Sequence, residues 1–249
     1  MSEIAFLETP EGRRIAYHKT EGQGPGIVFL GGFKSDMEGT KATWLEAWCQ
    51  AEGRAFLRFD YSGHGASSGT FEEGAIGDWA EDAFAAITAL TEGPQVLIGS
   101  SMGGWISLLM AKRMPERIAA LVTIAAAPDF TEDGYWAGFT GEERQELMEV
   151  GKLAVPSDYG DPYIITRRLI EEGRENFVLR DPLHLPFPVR FLQGTEDATV
   201  PLERATTLLA HATGDDMRLV VLKGGDHSFS SPDALQLIED ATRNALAAI

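Results

Sequence analysis

Short apolar runs alternate with amphipathic stretches along most of this chain, and that alternation limits the possible folds more than any other feature. GIVFLGG at residues 26–32, QVLIGS at 95–100 and IAALVTIAAA at 118–127 are nearly continuous in apolar or small residues, the pattern of strands covered on both faces. AFLRFD at 55–60 reads as a further strand. Between them, residues 40–53, 74–93 and 103–114 carry apolar side chains at helical spacing. In the second of these, Ile76, Trp79, Ala83, Ala86, Ile87 and Leu90 fall near one face. Gly53 closes the first helix and Pro115 stops the third. Such a succession predicts a mostly parallel sheet flanked by helices and joined by right-handed crossovers.

The ends of the chain complete this pattern. Residues 4–9 and 13–20 flank PEG, a turn signal, and predict an opening hairpin. From Pro128 the alternation breaks, and residues 128–187 read as a largely helical cap inserted between the sixth and seventh strands. The core pattern resumes with strands at 188–194 and 217–224, each followed by a helix. The expectation is one α/β domain over residues 1–249, with an eight-stranded sheet and the cap within it.

Composition narrows the partners. Lys and Arg number 21 against 38 Asp and Glu, a net charge of −17, and no basic cluster is present to face a phosphate backbone or an anionic membrane. No apolar stretch approaches the length of a membrane span, and the acidic first residues resemble neither a signal peptide nor a presequence, so the expected location is the cytoplasm. Cys49 is the single cysteine and lies in a helical pattern with apolar neighbours, which predicts a buried structural thiol.

Gly99-Ser100-Ser101-Met102-Gly103 fits Gly-x-Ser-x-Gly only with Ser101 at the centre, between a predicted strand and a predicted helix. A serine hydroxyl needs a general base, and the base needs an acid to orient it. His227, in KGGDHSF after the last strand, is the expected base; His64, in YSGHGASSG, also follows a strand and competes with it. Asp197, in GTEDATVP, is the expected acid, with Glu196 and Asp129 as alternatives. The oxyanion needs backbone donors. The Met102 N–H, at a helix start, and the Phe33 N–H, in the GGF loop, are the candidates.

Together these segments resemble the α/β-hydrolase superfamily over nearly the whole chain. GGFKSDMEGTKA (31–42), RFDYSGHGASSG (58–69) and GSSMGGW (99–105) are most similar to its mitochondrial palmitoyl-protein thioesterase and acyl-glucuronide esterase group. The resemblance implies ester or acyl-thioester chemistry on a small molecule or an acylated protein. It implies Ser101, Asp197 and His227 as triad, Phe33 and Met102 as oxyanion donors, and an acyl-enzyme route that uses no metal or organic cofactor. Gly31 departs from the histidine that many relatives carry there. Two other readings use the same scaffold: a serine peptidase, and a binding protein without turnover. Tyr135, Trp136, Phe139 and Met148 in the cap, with Leu147 and Val150, are candidates to line an acyl channel or, equally, to form the cap's own core. Lys34, Ser35 and Asp36 border the oxyanion loop.

Overall fold

The computed structural model describes residues 4–157 and 161–249. The chain opens with an antiparallel hairpin, β1 (Ala5–Glu8) and β2 (Arg14–Thr20), in which Ala5 pairs with Tyr17 and Glu8 with Arg14. Then β3 (Gln23–Leu30), α1 (Thr40–Ala51), β4 (Arg54–Phe59), α2 (Ile76–Leu90), β5 (Gln95–Ser100), α3 (Met102–Arg113) and β6 (Ile118–Ile124) alternate as the apolar pattern predicts.

The cap follows β6 and is less helical than expected. A π-helical turn (Thr131–Trp136) and α4 (Gly141–Val150) lead into an antiparallel hairpin of β7 (Lys152–Val155) and β8 (Tyr163–Thr166). Next come α5 (Arg167–Arg174) and the two-residue β9 (Leu183–His184). The cap strands, four residues each, are too short to leave a period-two signature, which is why KLAV and YIIT do not stand out in the sequence. Three residues of the inserted segment, 158–160, lie outside the described residues. The core resumes with β10 (Val189–Gly194), α6 (Leu202–His211), β11 (Ala212–Thr213), β12 (Met217–Leu222) and α7 (Pro232–Leu246).

Eight of these strands form one sheet in the order β1-β2-β4-β3-β5-β6-β10-β12. The pairs β1–β2 and β2–β4 are antiparallel and all the others parallel. Two buried layers cover it. Val28, Leu30 and Leu97 face one side with Trp79 and Trp105; Ile27, Phe29, Val96 and Ile98 face the other with Leu45, Cys49 and Ile238. Alternate residues of one strand thus supply opposite layers, and each buried Leu, Ile or Val side chain contributes about 1.5–3 kcal/mol. Because β3, β5, β6, β10 and β12 run the same way, their carboxyl ends meet at one edge, where open α/β sheets bind ligands.

Candidate active site

The strand-to-helix turn at Ser101 is tight by construction. Ser101 has φ 54° and ψ −116°, outside the ordinary regions for a residue with a side chain. Its N–H donates to the Ile124 carbonyl at 2.9 Å, and its own carbonyl accepts from Gly104 and Ala127 at 2.9 and 3.1 Å. Those contacts hold the backbone where local preference would not. Glycine is required on both sides: a Cβ at Gly99 would stand 2.3 Å from the Gly103 carbonyl oxygen, and one at Gly103 would stand 2.1 Å from that of Leu30. Ser100 is buried beside the turn as the last residue of β5.

Two further loops reach this turn from β10 and β12. Gly194 ends β10 so close to Gly225 that a Cβ on it would lie 2.0 Å from the Gly225 carbonyl oxygen. The Glu196 N–H donates to that same oxygen at 2.9 Å. The loops carrying Asp197 and His227 are therefore fastened to each other before any side chain is considered. His227 Nε2 lies 3.1 Å from Ser101 Oγ, and its Nδ1 lies 2.9 Å from Asp197 Oδ2. A carboxylate at Nδ1 places the proton there, which leaves Nε2 free to accept from the hydroxyl.

Asp197 is held as an anion. Its Oδ1 accepts the Thr199 and Val200 N–H groups at 2.9 and 2.7 Å, and Oδ2 also accepts Gln193 Nε2 at 3.0 Å. Burial opposes the charge, but the His227 imidazole and the two amides outweigh it and keep the carboxyl below the usual carboxylate range.

The loop after β3 faces the same point. Gly32 is close enough to Ser101 that a Cβ built on it would lie 3.5 Å from the serine Cβ. Neither the Phe33 nor the Met102 amide has a backbone acceptor among the described residues. Met102 begins α3, whose dipole favours negative charge at that end.

The competing residues are occupied elsewhere. His64 is 4% exposed and its Nε2 accepts the Lys34 N–H at 3.2 Å, so it sits behind the β3 loop. Asp129 accepts the Val178 and Leu179 amides and pairs with Arg180 at 3.0 Å, anchoring the cap. Glu196 is exposed. Burial pushes the Cys49 thiol up to about 12, as suits an inert structural residue.

A cavity of about 640 Å³ opens onto Ser101 and His227. Its aromatic wall is Phe33, Phe130, Tyr135 and Tyr163, with Phe33 and Tyr163 meeting edge to face at 5.6 Å. Of the cap residues expected to form the channel, Tyr135 lines it and the others do not. Phe139 stacks behind Tyr135 at 6.1 Å, Trp136 lies against Arg174, and Met148 is 38% exposed on α4. Lys34, Ser35 and Asp36 do line the cavity, as does Lys41, whose ammonium donates to the Ser228 carbonyl and is lowered by burial to about 8. Sequence reasoning missed Phe130, Tyr163 and Lys41. Only the fold brings Tyr163, at the start of β8, against Phe33 of the β3 loop. Among the described residues no group of three or more His, Cys, Asp or Glu side chains is placed to hold a metal ion.

Comparison with known proteins agrees with this architecture. A family model described as serine aminopeptidase, S33 matches residues 27–156. The rat and human proteins named palmitoyl-protein thioesterase ABHD10, mitochondrial, are each 35% identical over 237 residues, covering 94% of this chain and 80% and 77% of theirs. Among solved structures, a putative hydrolase from Agrobacterium vitis superposes with TM-score 0.93 at 36% identity, covering 98% of both chains. Mouse α/β-hydrolase domain-containing protein 10 superposes with TM-score 0.92 at 32% identity, covering 99% of both. The chain therefore belongs to the α/β-hydrolase superfamily, in the group that contains the ABHD10 proteins.

Proposed function

We propose that this protein is a serine hydrolase that cleaves acyl thioesters and carboxylic esters through an acyl-enzyme on Ser101. The observation that carries the reading is the continuous chain from Ser101 Oγ to His227 to Asp197, at 3.1 and 2.9 Å, at the mouth of an apolar cavity. In the first step Ser101 Oγ bonds to the acyl carbon as His227 Nε2 takes its proton. The Phe33 and Met102 N–H groups receive the charge that develops on the acyl oxygen. Collapse breaks the bond to the leaving thiol or alcohol, to which His227 returns the proton. Water then attacks the acyl-serine by the same route, releasing the acid and restoring the serine. Asp197 keeps the imidazole oriented and stabilises its charged form throughout.

The apolar wall supports an acyl group on the cavity side. The relatives' thioesterase name supports an S-acylated protein or small acyl thioester as substrate. Acyl glucuronides enter as the ester counterpart only through the resemblance of residues 31–42, 58–69 and 99–105 noted above. No described helix is long and apolar enough to cross a membrane. The cytoplasmic location expected from the sequence stands against relatives whose names place them in mitochondria, and fractionation of cells expressing the protein distinguishes the two. Rates across acyl thioesters, oxyesters, acyl glucuronides and amides of varied chain length test the assignment, with Ser101→Ala as blank. Turnover of thioesters and esters above amides is the expected result; amide cleavage at comparable rates favours a peptidase, and no turnover favours a binding protein.

A further inference from the structure

His64 is a histidine that the proposed chemistry does not use, yet it is buried beside the loop that chemistry depends on. The loop from Gly32 to Met37 carries strain: Lys34 has φ 56°, a left-handed conformation that costs a residue with a side chain on the order of 1–2 kcal/mol. It persists because its peptide groups are pinned one after another. The Gly32 carbonyl, which shares a peptide plane with the Phe33 N–H, accepts both the Ser35 N–H at 3.2 Å and Ser35 Oγ at 2.8 Å. The next plane ends in the Lys34 N–H, which donates to His64 Nε2 at 3.2 Å. Farther along, the Met37 N–H donates to Asp60 Oδ1 and its carbonyl accepts from Arg58 Nη1. Strand β4 and the turn after it thus hold the loop through Arg58, Asp60 and His64.

The imidazole is suited to this task in a single form. Nδ1 lies 3.2 Å from the Ser62 carbonyl, an acceptor, so Nδ1 carries the proton and Nε2 presents its lone pair to Lys34. The ring is packed among Tyr61, Phe71 and Trp79, with centroids 5.7, 5.1 and 5.1 Å away, so it has little room to turn. Burial lowers its pKa to about 4, which keeps Nε2 an acceptor at neutral pH.

We propose that His64 is a positioning residue for the oxyanion loop: by accepting the Lys34 N–H it fixes the peptide plane next to Phe33 and aims the Phe33 N–H at the developing oxyanion. This rests on the Phe33 role proposed above. A displaced donor weakens binding of the transition state more than that of the ground-state ester, so the loss falls on kcat.

Two amide variants separate the two ring nitrogens. In His64→Gln the longer side chain puts its amide where Nε2 was and still reaches the Lys34 N–H. In His64→Asn the amide stays near Nδ1, keeps the Ser62 contact and falls short of Lys34. The measurement is steady-state hydrolysis of a p-nitrophenyl ester and inhibition by a trifluoromethyl ketone, which forms a tetrahedral adduct, on variants with native circular dichroism. His64→Asn is expected to lower kcat at least tenfold with KM within twofold, and to weaken the ketone in proportion. His64→Gln is expected to stay within about threefold of wild type. Equal kcat in the two variants, or a loss confined to KM, overturns the proposal. If Asn does not fold, His64→Met replaces it, with the same prediction. A wild-type protein with no ester turnover instead refutes the proposed function itself, so the two failures are distinct.

Discussion

The buried histidine makes a stability prediction that is independent of activity. His64 is held neutral in the folded protein with a pKa of about 4, against 6.5 for an ordinary histidine, because its burial removes the water that would solvate the cation. As pH falls from 6.5 towards 4, the unfolded chain binds a proton at this site and the folded chain does not. Folding stability therefore falls in that window and is unaffected by this group above it. At about 1.4 kcal/mol per pKa unit, the interval to pH 4 amounts to about 3 kcal/mol. Burial also raises the carboxyls of Asp60, Asp82 and Asp129 above the ordinary carboxylate value, which changes stability in the opposite sense as pH falls. The assay is therefore a difference: guanidinium unfolding of wild type and His64→Gln at pH 7.5 and pH 4. The stability of wild type relative to the variant should drop by about 3 kcal/mol between the two. A difference that is constant with pH would refute the claim that the imidazole is kept neutral by its surroundings.

Asp197→Asn keeps the shape of the site but removes the carboxylate that places the proton on His227 Nδ1, so kcat should fall by about 10³–10⁴ with KM little changed in ester kinetics. Gly103→Ala should lower stability by about 3 kcal/mol, the upper end of overpacking costs, since its Cβ would meet the Leu30 carbonyl oxygen at 2.1 Å; calorimetry reads this as a lower Tm. Tyr163→Ala should raise KM for a long-chain acyl thioester by about tenfold, whereas Met148→Ala should leave it within about twofold, because only Tyr163 faces the cavity.

The parts of the molecule that could be read from sequence are those where local pattern and fold agree. β5 and α3 are apolar and glycine-marked around Ser101, and Asp197 and His227 each follow a strand of the same parallel sheet, so chain order alone brings them to one edge. The cap obeys no such rule. On α4, Leu147 is fully buried while Met148, one residue and about 100° farther round the helix, is exposed, so two neighbours that sequence alone offers equally to a channel or to the cap's core take different places. Phe130 and Tyr163 were missed because the first precedes a π-helical turn and the second begins a four-residue strand, neither of which leaves a periodic trace. Lys41 was missed because a lysine in the first turn of a helix ordinarily points to water, whereas here its ammonium meets the Ser228 carbonyl beside His227.

In the proposed reaction the hydroxyl of Ser101, and no other group, becomes acylated. Intact-protein and peptide mass spectrometry after brief exposure to a slowly hydrolysed acyl ester, or to a fluorophosphonate, measures this directly. Wild type should gain one adduct on the peptide that contains Ser101, and Ser101→Ala should gain none. An adduct of equal yield on the variant, or one located on Ser100 or elsewhere in wild type, would contradict the account.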